Sequence, residues 1–122
     1  MTIRVLLADD SEIFLGAAVE VVAASPGFEL VGAAASGESA VGLAAETRPD
    51  LVLLDVRMPG IGGVEAGRRI ADEHPKTLVV LVTADGESVN GGFATLDKRA
   101  LTPARLASLV PTREARAASQ SP

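Results

Sequence analysis

Asp9 and Asp10 close one apolar run of the sequence, and Asp55 closes another. Thr83 and Lys98 follow two further runs. Acidic residues at the ends of buried strands are costly unless something occupies the site they form. Like charges a few ångströms apart push one carboxylate towards its protonated form, and a divalent cation removes that cost. Mg²⁺ prefers oxygen ligands, so two or three carboxylates and a backbone carbonyl suit it. One carboxylate could then attack phosphorus and form an acyl phosphate. A lysine ammonium and a threonine hydroxyl would bind the phosphoryl oxygens. Chemistry of this kind is mostly positioning and charge stabilisation.

The pattern along the chain supplies elements to hold these residues. Ile3 to Ala8 reads as a buried strand and Ser11 to Ala24 as a helix, with Phe14, Leu15, Ala18, Val19 and Val22 on one face. Ser25-Pro26-Gly27 breaks it, and Phe28 to Ala34 is a second strand. Ser36 caps a second helix running to about Glu46, stopped by Arg48-Pro49. Leu51 to Leu54 is a continuously apolar strand, Met58 to Gly63 a loop, and Val64 to Glu73 a third helix. Leu78 to Val82 is a fourth strand and Phe93 to Leu96 a weaker fifth. Thr102-Pro103 opens a last helix carrying Arg105, Leu106, Leu109 and Val110. Strands that are apolar on both faces and alternate with helices predict a parallel sheet covered on both sides. In such α/β sheets ligands bind beyond the carboxyl ends of the strands. Asp9, Asp10, Asp55 and Thr83 are therefore expected on one rim.

Composition narrows the classes. The 122 residues suffice for one domain, and 48% apolar residues supply a core. Only 2% are aromatic, so that core is aliphatic. No cysteine is present, which removes disulfides and thiol chemistry. A net charge of −5 without a basic stripe argues against direct nucleic-acid binding. Met1 to Arg4 runs straight into a strand pattern rather than a signal peptide. No apolar stretch approaches the roughly 20 residues of a membrane span. A soluble, cytoplasmic protein without membrane contact is expected.

The text Val5-Leu6-Leu7-Ala8-Asp9-Asp10, Pro49 to Gly60, Thr83-Ala84 and Asp97-Lys98 resembles a response-regulator receiver domain of two-component signalling. Pro26 to Gly32 resembles the NarL/FixJ-type branch, whose receivers usually precede a LuxR-type helix-turn-helix domain. The resemblance implies a flavodoxin-like, doubly wound five-stranded parallel sheet of order 2-1-3-4-5. The receiver would cover residues 1–110, and residues 111–122, polar and Ala-rich, read as a tail or linker. The resemblance implies Asp55 as phosphoacceptor, with Asp10 ligating Mg²⁺ directly and Asp9 largely through water. The Arg57 carbonyl would complete the protein ligands. Thr83 would contact the phosphoryl group, Lys98 would be its cationic partner, and small Ala84 would leave access. The donor would be a phosphohistidine on a sensor histidine kinase. DNA would be reached only through an output domain outside this chain.

Two features depart from that pattern. Thr83 and Lys98 are 15 positions apart, fewer than receivers normally have. Residues 84–92 hold three glycines and an asparagine, which argues against a full helix. The fourth crossover helix is therefore expected to be lost or reduced to about one turn. Val79, Leu81 or Leu96 would then be partly exposed, favouring a homodimer through the Ala84–Leu96 region. The usual switch aromatic, three residues before the lysine, is Thr95 here. Two other readings stand beside the phosphoacceptor. A degenerate receiver would act as a phosphorylation-independent interaction module. A Mg²⁺-dependent phosphatase with an aspartate nucleophile would want an acid where Arg57 stands. Gly60, Gly62 and Gly63 could suggest a phosphate-cradling loop, but no Lys-Ser/Thr follows. His74 before Pro75 reads as a helix-end residue rather than a ligand.

Overall fold

The computed structural model describes residues 2–84 and 92–110. Strands and helices alternate from the N-terminus: β1 (Ile3–Ala8), α1 (Glu12–Ala23), β2 (Phe28–Ala34), α2 (Gly37–Thr47), β3 (Leu51–Asp55), α3 (Gly62–Glu73) and β4 (Leu78–Thr83). The described chain ends with β5 (Ala94–Asp97), a short 3₁₀ turn over Lys98–Ala100, and α4 (Pro103–Leu109). All five strands pair in parallel, in the order β2-β1-β3-β4-β5. This is the flavodoxin-like arrangement that the resemblance implies. The expected loss of a fourth crossover helix falls on residues 85–91 and the expected tail on 111–122, both outside the described residues.

Helix starts follow local chemistry. Ser11, Ser36 and Thr102 each accept a hydrogen bond from a backbone N–H in the first turn, of Phe14, Ser39 and Arg105 respectively. Pro103 sits at the start of α4, where its missing N–H costs nothing. The left-handed C-cap at Arg48 ends α2, and the Arg4 guanidinium donates to the Thr47 and Arg48 carbonyls there. His74 is the residue at which α3 ends, as expected.

The strand pleat sorts the core into two layers. Leu6, Ala8, Val52, Leu54, Val79 and Leu81 pack beneath α2 and α3 with Ala40, Ala44, Ala66 and Ile70. Val5, Leu7, Leu51, Leu53, Val80, Val82 and Leu96 face α1 and α4 with Ala18, Val22 and Leu106. The central strand β3 is buried along its whole length, which is why it reads as an unbroken apolar run. Ile70 is fully enclosed at the middle of α3. Ile70→Ala is expected to cost about 2–5 kcal/mol, a large share of a domain's total stability. Urea denaturation checks this, and a loss below about 1 kcal/mol would contradict the packing described.

The expected exposure of Val79, Leu81 or Leu96 is wrong. They are 5%, 0% and 3% exposed. Two physical reasons account for this. Gly67 lets α3 approach β4 closely, and a Cβ there would stand 3.1 Å from Val79 Cγ1 and 3.6 Å from Leu81 Cδ2. Leu96 points to the opposite face, into the layer under α1 and α4. Boundaries also shift. Helix α3 begins at Gly62 rather than Val64, and β5 covers Ala94–Asp97 because its pairing with β4 runs from Val80–Ala94 to Thr83–Asp97.

Candidate functional site

The carboxyl ends of β1, β3, β4 and β5 bring the predicted residues to one rim. Asp9 follows β1, and its N–H still bonds the Ala34 carbonyl at the end of β2. Its Oδ1 accepts from the Ser11 N–H at 2.8 Å, so the strand-to-helix turn fixes the carboxylate. Asp55 ends β3 and pairs with Val82, one residue before Thr83. Asp9, Asp55 and Thr83 are 2%, 5% and 2% exposed, whereas Asp10 is open to solvent. One oxygen from each of Asp9, Asp10 and Asp55 lies within 4.8 Å of the others. Hard oxygen donors gathered this closely fit a hard divalent cation. Ala84, next to Thr83, is exposed on the rim.

Lys98 completes the cluster. Asp97 accepts from the Arg99 N–H and also pairs with the Arg99 guanidinium, so the two flanking charges satisfy each other. The Lys98 side chain turns inward instead, with 22% exposure. Its Nζ lies 2.8 Å from Asp9 Oδ2 and 3.7 Å from Asp55 Oδ1. Asp9 Oδ2 is buried and has no well-directed hydrogen bond, so the short approach is a charge contact whose oxygen keeps a lone pair for another ligand. Nζ also stands 4.7 Å from the centroid of the Phe14 ring.

Electrostatics agree with this geometry. Burial, then the neighbouring Asp9 charge, raise the Asp55 pKa above the ordinary carboxylate range, although Lys98 and the Arg57 N–H oppose them. Burial pulls the Lys98 ammonium down, but its close contact with Asp9 and the charges of Asp55 and Asp10 outweigh this and hold it above the usual lysine value. The rim therefore holds one reluctant carboxylate beside a firmly charged ammonium.

The loop after Asp55 is shaped by contacts from both sides. Val56 N–H bonds the Val82 carbonyl, and Gly63 N–H bonds the Val56 carbonyl. Glu38, in the first turn of α2, accepts from the Ile61 N–H at 3.1 Å. That bond is the main reason its carboxyl is held below the usual range. Gly60 has φ +79, and a Cβ there would collide with Glu38 Oε1 at 2.1 Å. Met58, at the start of the loop, is buried in the layer under α2 and α3. Arg57 is exposed two residues after Asp55, and the structure links it to the site through its N–H.

Two contributors were not legible as site residues. Phe14 reads as one more apolar residue on the face of α1, and only the fold puts Lys98 over its ring. Glu38 reads as an acidic residue in a first turn, and only the packing of α2 on α3 brings it to the loop. Thr95 is exposed on β5, and Phe93 packs with the cluster under α2 and α3.

Comparison with known proteins gives the same frame. The chain is 43% identical over 99 residues to protein-glutamate methylesterase/protein-glutamine glutaminase 2 of Anaeromyxobacter dehalogenans, covering 81% of this chain and 28% of that protein. It is 46% identical over 81 residues to response regulator GacA of Pseudomonas viridiflava, covering 66% of this chain and 38% of that protein. The chain thus spans well under half the length of these curated relatives. Among solved structures it superposes on the signal receiver domain of the putative response regulator NarL from Mycobacterium tuberculosis with a TM-score of 0.73 and 26% identity, covering 88% of this chain and 96% of that one. The family model for the response regulator receiver domain matches residues 5–99, most of the chain. On that match, and with the strand order and acidic rim it requires, this chain belongs to the response regulator receiver domain family.

Proposed function

We propose that the chain is a phosphoacceptor switch, with Asp55 taking a phosphoryl group from a phosphohistidine on a sensor histidine kinase. The observation that carries this reading is the buried Asp55 carboxylate, set within 4.8 Å of two further carboxylates and 3.7 Å from an ammonium. An Asp55 carboxylate oxygen attacks phosphorus as the bond from phosphorus to the donor nitrogen breaks. The electron pair leaves with the imidazole. An acyl phosphate results, and later attack of water on phosphorus returns the carboxylate and inorganic phosphate. The chain accepts the group and assists its own loss, so it is not an enzyme acting on a separate substrate.

Asp9, Asp10, Asp55 and the Arg57 carbonyl would hold Mg²⁺. When bound, that ion would neutralise charge on the phosphoryl oxygens. The Arg57 N–H and the loop pinned by Glu38 orient the Asp55 carboxylate. Lys98 supplies a fixed positive charge where negative charge gathers on the phosphoryl group. Thr83 offers its hydroxyl to a phosphoryl oxygen from the end of β4, and Ala84 leaves the approach open.

The receiver spans residues 1–110, and 111–122 serve as a tail or linker to an output domain. The NarL-type receiver and response regulator GacA among its relatives favour an output acting on transcription. The methylesterase relatives make an enzyme output the other outcome. A cytoplasmic location suits a kinase partner, and no described helix is long and apolar enough to cross a membrane. The burial of Val79, Leu81 and Leu96 removes the apolar ground on which a homodimer through Ala84–Leu96 was expected.

Incubation with acetyl phosphate and Mg²⁺, followed by intact mass, tests the reading. The expected result is a gain of one phosphoryl group that EDTA prevents. Continuous release of phosphate without a modified species would instead favour a phosphatase. No modification at all would favour a degenerate interaction module.

A further inference from the structure

We propose that Phe14 is a positioning residue for Lys98, keeping its ammonium at the rim when Asp9 is engaged elsewhere. The inference rests on the phosphoacceptor reading. Among the described residues, Lys98 Nζ makes two ion pairs and one ring contact: Asp9 Oδ2 at 2.8 Å, Asp55 Oδ1 at 3.7 Å and the Phe14 ring centroid at 4.7 Å. Two of these are carboxylates for which a cation or a phosphoryl group competes. Of these three contacts, the ring is the one for which neither a cation nor a phosphoryl group competes. Its quadrupole attracts the ammonium, and partial desolvation strengthens that attraction. An aliphatic side chain of similar bulk lacks the quadrupole.

The fold holds the ring in place. Phe14 lies in the first turn of α1, and its N–H donates to the capping Ser11 hydroxyl at 3.3 Å. Ser11 N–H in turn bonds Asp9 Oδ1. One turn of chain therefore fixes both the carboxylate that Lys98 gives up and the ring that it keeps. The ring packs at the edge of the α1/α4 layer, so it cannot swing away without exposing apolar surface. A lysine released from Asp9 without this ring would recover the rotamer freedom of a four-carbon stem and reach Asp55 less often.

The test uses Phe14→Leu, which removes the quadrupole, and Phe14→Tyr, which retains it. In metal-free parent protein, the Lys98 CεH₂ protons are expected upfield of ordinary lysine values because they lie near the ring. The Tyr variant keeps that displacement and the Leu variant loses it. Mg²⁺ titration followed by amide shifts is expected to give affinities within about twofold across all three, because the ring contact is kept in both free and loaded parent protein. At saturating Mg²⁺ and acetyl phosphate, the rate of acyl phosphate formation falls about threefold to tenfold in Phe14→Leu and recovers in Phe14→Tyr. Phe14→Met replaces Phe14→Leu if the latter loses amide dispersion. Undisplaced Lys98 resonances in the parent protein, or parent-like rates in the Leu or Met variant, would overturn the proposal. A parent protein that takes up no phosphoryl group would overturn the phosphoacceptor reading, while the Lys98 resonances would still decide where the ammonium sits.

Discussion

Gly63→Ala destabilises the fold by at least about 2 kcal/mol and disables the rim. A Cβ at Gly63 would stand 2.0 Å from the Asp55 carbonyl oxygen, 2.8 Å from its carbon and 2.9 Å from Val56 Cα. All three are backbone atoms, so no side-chain rotation relieves the clash. Either α3 lifts from the sheet or the end of β3 shifts, and the second displaces the Asp55 carboxylate itself. The neighbouring glycine is an internal control. Gly62 has φ +79 but meets only the Val56 carbonyl oxygen, at 3.8 Å. Gly62→Ala should therefore cost only the left-handed backbone penalty, about 1–2 kcal/mol. Denaturation midpoints with phosphoryl uptake measured on the same samples check both. Equal losses at the two positions, or full phosphoryl uptake by Gly63→Ala, would refute the proposed contact.

Asp55→Asn has the opposite effect on stability. In EDTA at neutral pH it is expected to fold more tightly than the parent, because the neutral amide carries no buried charge. The buried Asp55 carboxylate faces Asp9, and the two effects together raise its pKa above the unfolded value. The folded state then binds more protons than the unfolded state at pH values between the two pKa values. Stability therefore falls as pH rises through that window, and the penalty is fully present above the raised pKa. The advantage of Asp55→Asn should shrink as pH drops towards the ordinary aspartate range. It should shrink also when Mg²⁺ is added, because the cation repays the parent protein and not the variant. Paired melting curves across pH, with and without Mg²⁺, decide it. A variant less stable than its parent in EDTA would show that Lys98 compensates the charge in full.

Most of the fold was legible because each layer is written in a simple period. The unbroken apolar run of β3 announces burial on both faces, and Ser11, Ser36 and Thr102 announce helix starts. The rim was legible for a related reason: polar residues at the ends of such runs need a purpose, and Asp9, Asp55 and Thr83 are buried there. What escaped depends on contacts between distant segments. Gly62 and Gly63 look like loop residues by propensity, yet they open α3: Gly62 takes a left-handed φ of +79, and β3 presses against Gly63 too closely for a side chain. Gly37 tells the same story, since a Cβ there would stand 2.7 Å from the Gly62 carbonyl oxygen. The expected exposure of Val79, Leu81 or Leu96 failed because the three do not share the one face that a missing helix would bare. The pleat sends Leu96 to the other face, and α3 approaches Val79 and Leu81 closely at Gly67. Phe14 escaped because a cation–π contact between residues 14 and 98 leaves no periodic trace.

Asp55, rather than either neighbouring acid, is expected to carry the phosphoryl group. Borohydride reduces an acyl phosphate to an alcohol, converting the acceptor aspartate to homoserine. The protein is phosphorylated with acetyl phosphate and Mg²⁺, reduced, digested and mapped by peptide mass spectrometry. Homoserine is expected at position 55, with unmodified aspartate at positions 9 and 10. Homoserine at Asp9 or Asp10, or no homoserine in protein that has gained a phosphoryl group, would contradict it.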